Sequence, residues 1–262
     1  MPATHATYGE AAEYESGADF YDDMVGDRTA HVAFYTSLVD AERTSVVDLA
    51  CGTGSITVAM AAEAERRSPQ GEHRICGIDG SRRMLARARA LDPAIEWIHG
   101  DIRHVPPLEP FDLVTCCFHS LQAFDREGFA LVLGSARRLL STGGRLAFDI
   151  YRPDRSAIAA QSRTRIVRSY TDARGRSLVI HERSSFDVDA DVYSLHWTLR
   201  DAHDGERDPR AEFYFRFWQH DPAFVDDAVR TAGFIVTERY GDLDRSRFDS
   251  SAKRQVVVCE AV

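Results

Sequence analysis

The residues best suited to chemistry lie where apolar runs end. Val46, Val47 and Leu49 form a short apolar run with Asp48 near its carboxyl end; Cys51-Gly52-Thr53-Gly54 then turns, and a helical pattern starts at Ser55. A strand, a glycine turn and a helix together let backbone N–H groups and a helix N-terminus face a charged ligand. Glycine at such a turn admits the ligand without a Cβ in the way. Asp79 closes a second apolar run, Ile75–Ile78, 25 residues beyond Gly54. A carboxylate at the tip of a second strand can accept both hydroxyls of a ribose. A third run, Ile95–Ile98, leads into Gly100-Asp101, and a fourth, Phe111–Cys117, leads into Phe118-His119-Ser120. In a parallel sheet these ends share one edge, so the four sets of polar and glycine residues are expected at a single site.

Histidine supplies the candidate general bases. His119 follows the fourth strand, which lies centrally in such a sheet, so its imidazole is placed to take a proton or to orient a substrate. His181 and His196 fall in later strand-like runs and are read either as further bases or as structural histidines. His196 and Trp197 are adjacent and so point to opposite faces of their strand. Glu212, Tyr214 and Arg216 share one face of another run, read as a substrate-binding stripe or as a solvated face.

The elements that must position these groups follow an α/β order. Helical patterns start at Ser55, at Ser81 (a capping serine, with Met84, Leu85, Ala88 and Leu91 as the inner stripe), over Gly128–Leu140, and at Asp221-Pro222, where Asp221 caps and Pro222 takes the first position. Gly143-Gly144 is expected to turn into a fifth strand from Arg145 to Tyr151. From Arg163 to Phe217 helical periodicity gives way to four strand-like runs, Arg163–Tyr170, Ser177–Phe186, Val192–Arg200 and Ala211–Phe217. Two final strands, Phe234–Tyr240 and Gln255–Cys259, are separated by a long charged loop. Near the start, Tyr8, Tyr14, Phe20, Tyr21, Phe34 and Tyr35 make an aromatic-rich helical region. Tyr14 and Tyr21, seven apart, share a face if that helix is continuous, and Gly17 allows a break.

The pieces Val46–Gly54 (VVDLACGTG), Cys76–Leu85 (CGIDGSRRML), Gly100–Arg103, Phe111–Phe118 (FDLVTCCF) and Gly143–Leu146 resemble the class I S-adenosylmethionine-dependent methyltransferases. The likeness covers residues 40–152 well and the last forty loosely, with Ala50 where the family often has glycine. It implies a Rossmann-like seven-stranded sheet with helices on both faces, plus an antiparallel β insertion after the fifth strand. The implied units are an N-terminal helical lid over 1–40, a cofactor-binding core over 41–155 and 219–262, and the insertion over 156–218. The implied cofactor is S-adenosyl-L-methionine, with contacts from Asp48, Ala50, Gly52, Gly54, Asp79, Gly80, Met84, Asp101, Ile102 and Phe118. Asp101 would accept the adenine amino hydrogens while the N–H of Ile102 meets a ring nitrogen. Met84 is read either as the adenine face or as core. The aromatic N-terminal region is read either as packing on the sheet edge or as a lid, which would bring Tyr14 and Tyr21 to the reacting groups and Arg28 to the cofactor's carboxylate as a charge match. Ser120, His181, His196, Trp197, Tyr214 and Arg216 are the candidate substrate contacts. The chain is also similar, at a finer level, to N-methyltransferases of amino sugars. The expected activity is in-line methyl transfer to an amine or hydroxyl of a small molecule. The alternatives are intramolecular cyclisation of the cofactor with release of methylthioadenosine, a nicotinamide oxidoreductase, and a non-catalytic cofactor-binding module.

Composition bounds the partners. The chain has 262 residues, 44% hydrophobic and 28% charged, enough for one domain with an insertion. Its formal net charge is −9, with Lys253 the only lysine, which disfavours a nucleic-acid backbone as partner. No N-P-P-Y or D-P-P-Y element of amino-directed nucleic-acid methyltransferases occurs. No apolar run reaches 18 residues and no signal-peptide pattern opens the chain, so no membrane partner and a cytoplasmic location are expected. Cys51, Cys76, Cys116 and Cys117 fall on or beside apolar runs and, without C-x-x-C spacing, read as reduced core thiols rather than metal ligands. Homodimerisation through the insertion is a further expectation.

Overall fold

A computed structural model describes residues 17–40, 45–153, 164–172, 174–203 and 208–262. Tyr8, Tyr14 and the first seven residues therefore lie outside the described residues. Seven strands form one sheet in the order β10-β11-β5-β4-β1-β2-β3, and four more form a separate meander, β6-β7-β8-β9. The strands of the large sheet are β1 (Ser45–Leu49), β2 (Arg74–Asp79), β3 (Glu96–His99), β4 (Phe111–Cys116), β5 (Leu140–Tyr151), β10 (Phe234–Tyr240) and β11 (Arg254–Ala261). The first five run parallel, while β11 inserts antiparallel between β5 and β10. This is the α/β architecture with an antiparallel insertion that the sequence predicts.

Both faces of the sheet are buried, and strand alternation divides the side chains cleanly between them. Val47, Leu49, Val114, Cys116, Leu146, Phe148, Val257 and Cys259 share one core with α5 (Arg126–Leu139) and α6 (Pro222–Thr231). Val46, Leu113, Ala147, Val256 and Val258 share the other with α2 (Thr29–Thr36) and α3 (Ser55–Arg67). By the same alternation Asp48, Thr115 and Asp149 are sent to the α2–α3 side, where all three are fully or almost fully buried. Buried polar groups on that face need partners there, and that need builds the site.

The order of the sheet reverses between β1 and β4, because β1 pairs with β2 on one side and β4 on the other. Outside the carboxyl ends of strands at such a reversal lies the natural crevice of a doubly wound sheet. The two caps expected from sequence form: Ser81 accepts the N–H of Met84 at the start of α4 (Arg82–Leu91), and Asp221 accepts that of Phe224 ahead of α6. Asp125, not anticipated, caps α5 through the N–H of Gly128.

Three expectations need correction. Gly143-Gly144 does not precede the fifth strand; β5 starts at Leu140, and the glycines sit inside it, where the register against β4 shifts and Gly143 takes φ +77°. Leu91 leaves the inner stripe and is 56% exposed, since α4 ends there and outruns the elements covering Met84, Leu85 and Ala88. The aromatic N-terminal region is not one helix. Its described part is a 3-10 turn at Ala18–Phe20, a short α1 (Tyr21–Val25) and α2, broken at Gly26.

The insertion comprises β6 (Arg165–Thr171), β7 (Ser177–Asp187), β8 (Val192–Asp201) and β9 (Ala211–Trp218). Its apolar face, with Leu178, Ile180, Leu199 and Phe213, buries Met24 of α1 and packs on Phe20 and Tyr21. Gly17 lies so flat on the Phe213 ring that a Cβ would stand 1.9 Å from it. The N-terminal segment is thus held by the insertion, over the end of the main sheet.

Gly54 shows a second close fit. It sits at φ +82° before α3, and a Cβ there would come within 2.5 Å of the Trp97 indole. Replacing Gly54 with Ala combines left-handed strain with a clash against a buried ring, so a loss of roughly 2–3 kcal/mol is expected. Urea unfolding checks this; an unchanged midpoint would contradict it.

Candidate active site

At the carboxyl edge lies a cavity of about 360 Å³, lined from β1, β2, β3, β4 and β9 as well as from α1. One end is framed by two loop tips clamped to one carboxylate. Asp79 accepts the N–H of Gly52 at 2.8 Å and that of Ser81 at 2.8 Å. Each interaction fixes a loop and leaves the carboxylate bordering the cavity. Ala50 and Gly52 both take left-handed φ, +57° and +56°, and turn the backbone under the same end. Ala50, Gly52, Asp79, Gly80, Met84, Asp101, Ile102 and Phe118 all border the cavity, as the sequence predicts. Met84 is also 1% exposed, so it is core and lining at once. The Asp101 carboxylate is shared: it accepts the N–H of Arg103 as a cap and is gripped by the Arg103 guanidinium at 2.7 Å.

Three expected cofactor contacts, Asp48, Gly54 and Arg28, are not among the residues that border the cavity. Asp48 does not reach the cavity; it is 2% exposed and accepts hydrogen bonds from Thr57 and Thr115 at 2.7 Å each, with the Cys117 thiol at 3.6 Å. Burial pushes its carboxyl up to about 6 despite these donors. It ties β1, β4 and α3 together beneath the loop. Gly54 does not border the cavity either, because it makes room for Trp97.

The other end is built on Asp149. This carboxylate, 0% exposed, accepts the Tyr35 hydroxyl at 2.7 Å, the Phe118 N–H at 3.0 Å and Arg254 Nη1 at 2.7 Å, with Nδ1 of His119 at 2.7 Å. His31 stacks on Phe118 at 3.7 Å and brings Nε2 to 3.8 Å from the same carboxylate. Burial alone would raise the Asp149 carboxyl, but His119 and His31 reverse the sign and hold it well below the usual carboxylate range. Phe118 and His119 are consecutive left-handed residues, φ +56° and +61°, a conformation that costs non-glycine residues about 1–2 kcal/mol each. Asp149 holds both, one by its backbone and one by its ring.

That geometry sets the state of His119. Burial pushes its imidazole below the ordinary 6.5, against the pull of Asp149. A neutral ring with Nδ1 on a carboxylate carries its proton there, leaving the lone pair on Nε2. Arg254 Nη1 stands 3.4 and 3.1 Å from the two ring nitrogens. The shorter of the two is a hydrogen-bond distance to Nε2, and the same Nη1 donates to Asp149. His119 and Ser120 border the cavity, and Ser120 donates its hydroxyl to the Cys117 carbonyl at 2.6 Å.

From the N-terminal segment, Tyr21 borders the cavity beside Gly52, and burial pushes its phenol up to about 12, so it stays protonated. Asp22 accepts the Thr53 hydroxyl at 2.6 Å and pairs with Arg87 at 2.8 Å and Arg28 at 2.9 Å, fastening the segment to the glycine turn. Arg28 lies beside Tyr21 and Phe118, 5.7 and 5.9 Å from their ring centroids. Its Nη2 is buried with no hydrogen-bond partner among the described residues.

The expected substrate contacts divide by strand face. Phe213, Phe215 and Trp197 pack inward, so His196, Tyr214 and Glu212 point outward. His196 stacks on Tyr214 at 4.1 Å and meets Glu212 at 3.1 Å, and His181 borders the same outer groove, away from the cavity. All three are therefore removed from the candidate contacts. Trp197 does face inward, but its indole donates to Glu182 at 2.9 Å within the insertion and does not border the cavity. Arg216 reaches the cavity wall with its guanidinium over Trp218. Sequence reasoning missed Phe215 and Phe217, which border the cavity, and missed His31, Tyr35, Asp149 and Arg254. The alternating Phe213-x-Phe215-x-Phe217 pattern was the available signal for the first group, and a lone carboxylate in the apolar run Leu146–Ile150 for Asp149.

Residues 46–144 match the family model for a methyltransferase domain. A trans-aconitate 2-methyltransferase of an Azoarcus species is 35% identical over 108 residues, 41% of this chain and 39% of that protein. A 2-phytyl-1,4-naphtoquinone methyltransferase of Thermosynechococcus vestitus is 33% identical over 44% of this chain and 49% of its own length. The chain thus spans less than half the length of these curated relatives. Solved structures are similar over nearly the whole length. The CcbJ methyltransferase of Streptomyces caelestis matches with a TM-score of 0.75 at 21% identity, covering 97% of this chain and 99% of that one. CalS10, an amino pentose methyltransferase of Micromonospora echinaspora, matches with a TM-score of 0.65 at 20% identity over 93% and 95%.

The chain shares the fold of these solved structures, and residues 46–144 match a methyltransferase domain.

The residues present fit S-adenosylmethionine, the cofactor that the sequence resemblance implies. Arg28 Nη2, without a hydrogen-bond partner among the described residues, is a buried cation edge suited to a carboxylate, beside the lining residues Tyr21 and Phe118. Gly52 borders the cavity with only the Tyr21 ring, at 3.9 Å, near a Cβ position. Asp79 supplies acceptor atoms at the same edge. Among the described residues no cluster of three or more His, Cys, Asp or Glu side chains is arranged for a metal, and no helix is long and apolar enough to cross a membrane.

Replacing Asp149 with Asn leaves the Arg254 guanidinium without its buried counter-charge, so a loss of about 3 kcal/mol is expected. The wild-type contribution is fully present above the ordinary carboxylate value near 3.9 and fades as pH falls through the depressed folded value. Chemical unfolding of both proteins from neutral to acid pH checks this. A stability difference that does not shrink in acid would contradict it.

Proposed function

We propose that this protein transfers a methyl group from S-adenosylmethionine, in line, to an amine or hydroxyl of a small molecule. The observation that carries the proposal is one continuous cavity with the Asp79 carboxylate at one end and a buried His119–Asp149 pair at the other. The bound cofactor supplies a methyl carbon made electrophilic by an adjacent sulfonium. Asp79 would hold the ribose hydroxyls. Asp101 and the Ile102 N–H would meet the adenine edge, and Arg28 Nη2 the carboxylate. Phe118 and Tyr21 border the space between and exclude water. Holding two reactants in a near-attack geometry lowers the barrier by about 7–11 kcal/mol, the largest contribution such a site makes.

His119 Nε2 is the proton acceptor of the proposal. Asp149 fixes the tautomer and ring plane, and Arg254, paired with both Asp149 and Asp242, fixes Asp149. The acidic net charge favours a small-molecule acceptor over a nucleic-acid one. The likeness to CalS10, an amino pentose methyltransferase, supports an amine-bearing substrate, and the base beside the cavity supports a hydroxyl acceptor.

Replacing Asp79 with Ala is expected to weaken binding of S-adenosylhomocysteine roughly 10- to 100-fold in calorimetry, from loss of charge-assisted hydrogen bonds. Unchanged affinity would remove Asp79 from the site. The base works when neutral, and its value is depressed, so kcat/KM should stay level from neutral pH down to below 6.5 and then fall. His119→Asn should lose most of the rate together with that acid limb. An acid limb surviving in the variant would assign it to another group.

A further inference from the structure

The acceptor end of the cavity has a composition that narrows its substrate. Phe213, Phe215 and Phe217 alternate along β9 and stack nearly parallel, with centroids 5.9 and 6.1 Å apart and planes within 7° and 14°. Phe213 is buried against the N-terminal segment, while Phe215 and Phe217 continue the ladder into the cavity wall. Ala123 and Phe124, from the turn after β4, also border the cavity. The wall offered is aromatic, and the His119 ring meets Phe217 at 6.5 Å in a T-shaped contact.

Acids are placed elsewhere. The only carboxylates among the described lining residues are Asp79 and Asp101, both at the nucleotide end and already engaged by Gly52, Ser81 and Arg103. Asp149 is sealed behind His119 and holds Arg254. Glu212 turns outward to His196. An ammonium entering this end would lose its hydration without gaining a counter-charge. A planar ring would lose only apolar contact with water and gain stacking.

We infer that the acceptor is a planar aromatic hydroxyl, a phenol, seated against Phe215 and Phe217 with its oxygen at Nε2 of His119. The inference rests on the methyltransferase reading and refines its acceptor. The chemistry agrees with the base available. A phenol of the tyrosine type ionises near pH 10, far closer to an imidazole than an alkanol does. As the phenol O–H bond breaks, its proton passes to Nε2. An oxygen lone pair forms the new bond to the methyl carbon, and the carbon–sulfur bond breaks with its electrons staying on sulfur. The products are an aryl methyl ether, a neutral thioether and an imidazolium that returns its proton to water.

Binding to the full chain loaded with S-adenosylhomocysteine tests this without turnover. The probes are 7-hydroxycoumarin, followed by its own fluorescence anisotropy, and 2-naphthol, with glucosamine and cyclohexylamine as amine counterparts in calorimetry. Both aromatics should bind and both amines should not. Phe215→Leu keeps apolar bulk but removes the aromatic ring, so it should weaken 7-hydroxycoumarin by roughly fivefold and leave S-adenosylhomocysteine affinity at the wild-type value. Phe217→Leu should act in the same direction. Binding of either amine with neither aromatic bound overturns the inference, as does wild-type aromatic affinity in both leucine variants. If S-adenosylhomocysteine itself fails to bind, the methyltransferase reading falls and takes this one with it. If it binds and no aromatic does, only the acceptor assignment falls.

Discussion

The Asp149 carboxylate, fully buried at the far end of β5, is the constraint around which the acceptor half of this molecule is arranged. An ionised carboxylate inside a protein is tolerated only when its lone pairs are filled and its charge is matched. Here a phenol, a backbone N–H, an imidazole and a guanidinium do this, drawn from α2, the turn after β4 and the start of β11. Strand alternation explains why they meet. Asp149 shares the α2–α3 face with Ala147, so the helix carrying His31 and Tyr35 covers it, and β11, paired directly with β5, brings Arg254 alongside. The two left-handed residues, Phe118 and His119, are then held by the same group that orders the rest.

A second carboxylate, Asp79, plays the matching part at the nucleotide half. It binds two loop tips through their N–H groups and still borders the cavity. Asp48 resembles it in the sequence, one strand away, yet its side chain turns beneath the loop and is consumed by Thr57, Thr115 and Cys117. The difference is one of strand position. Asp79 is the last residue of β2, where the chain leaves the sheet, whereas Asp48 is inside β1 and obeys the alternation.

Much of the fold was legible because it rests on local patterns. The apolar runs, the glycine turn, the caps at Ser81 and Asp221, and the loss of helical periodicity after residue 163 are all properties of short windows. That Ala50, Gly52, Asp79 and Asp101 would meet at one edge was legible for the same reason, since each strand end carries its own residues. The acceptor end was not. Arg254 and Asp149 are 105 residues apart, and Tyr35 and Asp149 are 114 apart, so nothing local links them. The insertion strands were found, but which face turned inward was decided by packing on α1 and not by the pattern. That choice sent His181, His196 and Tyr214 outward and put the unremarked Phe215 and Phe217 in the wall.

The central claim is that one adenosyl ligand spans the strand ends with its sulfur side towards His119. A crystal structure of the protein with S-adenosylhomocysteine tests it most directly. The account predicts the ribose hydroxyls on Asp79, the amino acid carboxylate on Nη2 of Arg28, and open space between the sulfur and Nε2 of His119. A nucleoside bound away from Asp79, or a sulfur turned from His119, would contradict it.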